Sequence, residues 1–199
     1  MRLYNYTPSG NCYKVRLLCA QLGLPLERVE IQLRMTPDVA RDYRRINPLG
    51  RVPALVLDDG QVLAESNAIL WYLAEGTPFV PADRLGRARA LAWMFWEQYD
   101  HEPTIAVARA WQSYFGVPPG KDDELEDRRR RGYAALDVME GHLAGATFFV
   151  GEAYSIADIA LYAYTHVCHE GGLSLERYPA IRAWLERVRT QAGHITIDA

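Results

Sequence analysis

Residues 2–33 read RLYNYTPSGNCYKVRLLCAQLGLPLERVEIQL, and this stretch decides the fold. Residues 2–6 are a short β-prone run, broken by the turn cluster Thr7, Pro8, Ser9 and Gly10. Val15, Leu18, Cys19 and Leu22 then recur at i, i+3, i+4 and i+7, one face of a helix, with Lys14, Arg16 and Gln21 off that face. Gly23 followed by Pro25 is a helix stop. Val29, Ile31 and Leu33 alternate with Glu30 and Gln32, which predicts a second strand covered on one side. Strand, helix and strand together form a βαβ unit with a right-handed crossover.

Working outward, residues 37–46 suit a short helix. Residues 52–57 and 61–63 flank Asp58, Asp59 and Gly60, the pattern of a β-hairpin. A helix follows from Ser66, with Ile69, Leu70 and Leu73 as its apolar face. One glycine and two prolines within residues 76–83 mark a linker. Beyond it no strand of similar quality occurs. Residues 87–115 read as one long helix bent near Pro103, followed by helices over 122–143, 155–169 and 179–189. The expected architecture is an α/β domain over residues 1–77 and an all-helical domain over residues 86–199.

The 199 residues are 49% apolar and 24% charged, enough for a packed core. A net charge of -3 argues against a nucleic-acid or anionic-membrane partner. The arginine run at 128–131 follows Glu124, Glu126 and Asp127, each four residues before an arginine, which predicts a solvated helix face of i,i+4 ion pairs. Cys12, Cys19 and Cys168 show neither CxxC spacing nor a disulfide framework, and reduced thiols suit a cytoplasm. No apolar stretch has the length of a secretory signal or a membrane span, so a cytoplasmic location is expected. His166, Cys168 and His169 lie close together, but no second liganding cluster accompanies them and no metal is expected.

Five segments stand in order at the joints of this pattern: YTPSGNC at 6–12, NPLGRVPAL at 47–55, ESNAI at 65–69, SIAD at 155–158 and YPAIRAW at 178–184. Through them the chain resembles the cytosolic glutathione transferase superfamily over nearly its whole length. The Ser9 loop is most similar to the serine-type classes (theta, delta and related bacterial ones). The resemblance implies a thioredoxin-like N-terminal domain, glutathione as co-substrate and a small electrophile as second substrate. It also implies a detoxification role and a homodimer paired through residues 91–99.

Residue by residue, the resemblance implies that Val52 pairs with the cysteinyl backbone of glutathione across a turn fixed by cis Pro53. Ser66, read as the N-cap of its helix, would seat the γ-glutamyl carboxylate, Glu65 would meet its ammonium and Arg51 the glycyl carboxylate. Ser9 would donate a hydrogen bond to the thiolate. Lowering a thiol pKa from ~8.5 to ~6.5 needs about 2.7 kcal/mol. A charge-assisted hydrogen bond supplies ~1.5–3 and a helix N-terminus ~0.3–1, so the two suffice. Asn11 and Cys12 are rivals for this role, since some family members use an asparagine amide or a cysteine in the same loop. Trp111, Tyr114, Phe115 and His166 are candidates for the second-substrate pocket. The Ser155/Asp158 capping box belongs to folding. A glutathione-dependent disulfide reductase or peroxidase, an isomerase or dehalogenase, and a non-catalytic binding protein remain alternatives on the same fold.

Overall fold

The computed structural model describes residues 1–32 and 35–199. Two compact units emerge, Met1–Thr77 together with Ala192–Ala199, and Pro78–Gln191. The tail at 192–199, read from sequence as part of the helical domain, thus packs with the α/β unit. Leu33 of the expected second strand lies outside the described residues.

In the first unit the order is β1 (Arg2–Asn5), α1 (Gly10–Leu22), β2 (Glu27–Glu30), α2 (Pro37–Arg44), β3 (Ala54–Val56), β4 (Val62–Ala64) and α3 (Ser66–Ala74). The sheet runs β2-β1-β3-β4, with β1 parallel to β2 and the other neighbours antiparallel. Strand alternation sorts the side chains into layers. Leu3 and Leu55 meet Val15, Cys19 and Ile69 on one face, while Tyr4, Ala54 and Val52 meet Ile31, Tyr43 and Ile46 on the other. This is a thioredoxin-like layer. The second strand is displaced from the reading at Val29, Ile31 and Leu33: its register pairs Arg2 with Glu27 and Asn5 with Glu30, and Arg2 and Glu27 are also ion-paired at 3.0 Å.

Helix α1 ends as its sequence requires. Gly23 takes φ 65, a left-handed value cheap only for glycine, so that its N–H reaches Ala20 O and Leu24 N–H reaches Cys19 O. Two of the charged residues off the apolar face of α1 are buried as well. Lys14 is 0% exposed and Arg16 3%. Arg16 donates to Asn5 Oδ1 (3.2 Å), Thr7 O (3.0 Å) and Ile197 O (2.5 Å), and Tyr13 OH donates to Ile195 O (2.6 Å). The tail therefore supplies main-chain acceptors that a buried helix face needs.

The second unit holds α4 (Arg84–Trp96), α5 (Glu102–Arg109), α6 (Asp122–Leu143), α7 (Ile156–Thr165) and α8 (Pro179–Arg189). The predicted bend near Pro103 is a π-helical turn, Glu97–His101, between α4 and α5. Proline has no N–H to give and crowds the preceding turn, which widens so that Glu102 N–H bonds Glu97 O. A second π-helical turn, Ala110–Phe115, follows α5. The helix expected over 155–169 stops at Thr165, and a 3₁₀ turn, Cys168–Gly171, replaces its end. Of the three anticipated i,i+4 pairs Glu124–Arg128 forms, whereas, among the described residues, Arg129 takes Glu126 and Arg130 takes Asp127 at i,i+3. Arg128 also donates to Pro103 O and Arg129 to Gly171 O, so part of the run is a packing joint and not a solvated face.

All ten residues of α7 are buried. The Asp158 carboxylate at its start accepts from Ser155 N (2.9 Å), Ser155 Oγ (3.0 Å), Phe149 N (3.0 Å) and Trp184 Nε1 (3.0 Å). Burial pushes this carboxyl up to about 6 against the pull of those donors. Asp158→Ala leaves these donors without their acceptor, two of them on buried Phe149 and Trp184. The expected loss is about 3 kcal/mol or more in urea unfolding. A loss below about 1 kcal/mol would contradict this assignment.

Candidate functional site

Three loops of the first unit gather the residues singled out above. The first joins β1 to α1. Ser9 is the N-cap of α1 with extended φ -71 and ψ 121, and its Oγ accepts from Cys12 N at 3.3 Å. That bond uses the hydroxyl oxygen and leaves its one proton as the donor. Asn11 lies in the first turn, where its Oδ1 accepts from Ser66 Oγ (3.1 Å) and Lys14 Nζ (2.9 Å).

The second loop leads into β3. The Val52–Pro53 bond is cis. Tyr43 OH (2.8 Å) and Asn47 Nδ2 (2.6 Å) both donate to Arg51 O and hold this turn. Among the described residues no backbone hydrogen bond takes up Val52 N–H or C=O. Both stay available, like the edge of a strand, to an extended peptide. The Arg51 side chain is exposed.

The third loop joins β4 to α3. Glu65 takes φ 66 and ψ 113, the only non-glycine positive φ among the described residues. A β-branched or bulky side chain is rarely held there, and such outliers gather at ligand sites. The N-cap of α3 is Glu65 and not Ser66, whose hydroxyl donates to Asn11 Oδ1 instead of capping; Ser66 and the following residues lie at the positive end of α3, while the Glu65 carboxyl stands exposed beside it.

The rivals in the first loop differ in their surroundings. Cys12 is fully buried with its Sγ at 3.4 Å from Tyr6 N, and burial pushes its thiol up to about 11. Cys19 and Cys168 are likewise buried and raised to about 11 and 12. Ser9 and Asn11 stay half-buried at the site's rim. The residues read as a second pocket lie in the other unit and have local engagements. Tyr114 OH bonds Arg109 Nη2 (2.8 Å) and Glu170 Oε2 (3.0 Å), and the Tyr114 and Phe115 rings are neighbours at 6.5 Å. Trp111 lies under Arg128 at 5.4 Å, and His166 stacks on Tyr162 at 4.5 Å. In the first unit, Lys14 joins the cluster without a motif to mark it, its Nζ reaching Asn11 Oδ1, Ser66 Oγ and Asn67 Oδ1. Helical periodicity puts Lys14 off the apolar face, and no residue pattern distinguishes a buried lysine there from an exposed one.

Known proteins resemble this chain over nearly its whole length. The family profile described as glutathione S-transferase, N-terminal domain, matches residues 8–75, and that of the C-terminal domain matches residues 104–192. A glutathione S-transferase structure from Pseudomonas fluorescens Pf-5 is 47% identical, with TM-score 0.95 over 98% of both chains. A sphingomonad glutathione S-transferase complexed with glutathione is 27% identical, with TM-score 0.83 over 97% of this chain and 94% of that one. The disulfide-bond oxidoreductase YfcG of Escherichia coli is 28% identical over 94% of this chain and 89% of its own. The chain belongs to the cytosolic glutathione transferase superfamily. Its fold is the thioredoxin-like domain plus helical domain of that family.

Raised thiol pKa values and burial predict slow chemistry at all three cysteines. Iodoacetamide at pH 7 is expected to leave the folded protein unlabelled and to add three labels in denaturant. Rapid labelling of Cys12 in the folded state would contradict its burial.

Proposed function

We propose that the protein is a glutathione transferase of the serine type, which holds glutathione as its thiolate and adds it to a small electrophile. The observation that carries this reading is the Ser9 cap: its oxygen is engaged by Cys12 N–H, so its proton is left to donate beside the positive end of α1. The solved sphingomonad relative, complexed with glutathione, supports the same ligand. In this reading the γ-glutamyl carboxylate sits on the N–H groups at Ser66, the ammonium meets Glu65, the cysteinyl backbone pairs with Val52 beside Pro53, and Arg51 reaches the glycyl carboxylate.

The thiol proton leaves to solvent on binding. The sulfur lone pair then forms a C–S bond, and with an aryl halide the halide departs with its bonding pair. No metal and no general base is needed, since the enzyme's contribution is electrostatic. Buried, high-pKa Cys12 speaks against a mixed disulfide on the enzyme itself. A disulfide substrate would need only the same bound thiolate aimed at sulfur, as the relative named for disulfide-bond oxidoreduction suggests. We further place a homodimer contact on α4 and the turn after it, where Phe95 is 71% and Tyr99 80% exposed four residues apart. A one-chain mass by light scattering at micromolar concentration counts against that contact.

Ser9→Ala removes one charge-assisted donor. The pKa of the bound thiol is expected to rise by about one to two units. Bound thiolate is lost as pH falls through that pKa, so the pH–rate profile for aryl halide conjugation moves to higher pH while glutathione affinity changes little. An unmoved profile would remove Ser9 from the chemistry.

A further inference from the structure

Thr7 stands two residues before Ser9, in the short loop that leads from β1 into α1, and each of its polar groups is taken. Its N–H donates to Glu30 Oε2 (3.2 Å), its hydroxyl donates to Glu30 Oε1 (3.1 Å), and its carbonyl accepts from Arg16 Nη2 (3.0 Å). Thr7 Oγ1 also accepts from Asn5 Nδ2 (3.3 Å). The β1–β2 register sets Glu30 beside Asn5, and the amide of buried Asn5 donates to the same Oε1 of Glu30. Glu30 is an exposed residue of an edge strand, yet both its oxygens accept, from three donors in all.

The rest of the loop is closed on itself. Tyr6 N–H meets Cys12 Sγ (3.4 Å) and Pro8 has no N–H. Ser9 N–H donates to Tyr6 O (2.8 Å), which closes a turn with Thr7 and Pro8 at its centre. Those bonds shape the turn without tying it to the sheet. The bonds from Thr7 to Glu30 and Asn5 do that. The turn ends on Ser9, and a hydrogen bond weakens steeply when its donor is misaimed, so whatever anchors the turn sets the reach of the Ser9 hydroxyl.

We infer that Glu30 is a positioning residue for Ser9: its carboxylate pins the Thr7 turn to the sheet and so holds the Ser9 hydroxyl at the thiolate of bound glutathione. The inference rests on the thiolate reading given under Proposed function. Glu30 acts through Thr7 and donates nothing to the sulfur. Its charge alone would work the other way, since a carboxylate near a thiolate disfavours the charged sulfur. The sign of the effect therefore separates positioning from simple electrostatics.

The test is an ultraviolet titration of the thiolate in the protein–glutathione complex, with melting temperatures measured in parallel. It compares the wild type with Glu30→Gln, Thr7→Val, Ser9→Ala and the Glu30→Gln/Ser9→Ala double variant. Glu30→Gln keeps the shape but puts an NH₂ where an oxygen accepted, so a donor of Asn5 or Thr7 faces another donor. It should raise the pKa of the bound thiol by about half a unit or more, with glutathione affinity little changed. Thr7→Val removes the hydroxyl donor without altering charge. It should shift the pKa the same way, and it decides the question if the glutamine variant folds poorly. The double variant should titrate no higher than Ser9→Ala alone, because Glu30 then has no hydroxyl to aim. A Glu30→Gln thiol, or in its place a Thr7→Val thiol, that titrates at or below the wild type overturns the inference, even with a lowered melting temperature. So does a double variant whose rise is the sum of the single ones. If the wild-type bound thiol titrates like free glutathione, or Ser9→Ala leaves it unmoved, the thiolate reading itself fails, a result read without any change at Glu30.

Discussion

Helix α1 carries two cations into the interior of the first unit, and satisfying them organises much of what surrounds it. A charge removed from water costs several kcal/mol unless acceptors replace its hydration. Arg16, its pKa lowered by burial, draws Asn5 of β1, the carbonyl of Thr7 and the carbonyl of Ile197 around its guanidinium. Asn5 and Thr7 in turn bond Glu30 at the end of β2, so one network ties strand, loop and tail. Lys14, one step around the helix, gathers Asn11, Ser66 and Asn67. The loop before α1 and the start of α3 are thereby held by the demands of two buried charges, and the candidate site lies at these same two places.

Such anchoring permits strain where a ligand would bind. Glu65 keeps a left-handed φ at the head of α3, a conformation costing of order 1–3 kcal/mol for a non-glycine residue. The helix beyond it is fixed by buried Ile69, Leu70 and Ala74, and the strand before it by pairing with β3. Packing on both sides holds the residue where its side chain stands beside the N–H groups of Ser66 and its successors. Cap, strained corner and open Val52 edge are each small features, and their value comes from sharing one rigid layer.

The sequence made legible whatever local chemistry governs. The βαβ order, the Gly23 stop, the Asp59–Gly60 hairpin and the cap positions Ser9 and Ser155 depend on near neighbours, and they stand where periodicity and turn residues put them. Long-range features were not legible. Lys14 and Arg16 sit off the apolar stripe in a helical projection, yet acceptors from residues 5 to 197 bury them. The tail at 192–199 carries no strand or helix pattern, and its place with the α/β unit follows from bonds to Tyr13 and Arg16. Pro103 announced an irregularity, but only the structure gives its form as a π-helical turn. Of the candidate site, Ser9, Pro53, Glu65 and Ser66 stand in recognisable motifs, whereas Lys14 and Asn67, which bond to Asn11 or Ser66, have none to signal them.

The central claim, that one thioredoxin-like layer seats glutathione with its sulfur at Ser9, is most directly tested by a crystal structure of the protein with glutathione bound. The account predicts the sulfur within hydrogen-bonding reach of Ser9 Oγ, the γ-glutamyl carboxylate on the N–H of Ser66, and the cysteinyl backbone paired with Val52. A tripeptide bound elsewhere, or one whose sulfur is joined to Cys12 with Ser9 turned away, would contradict it.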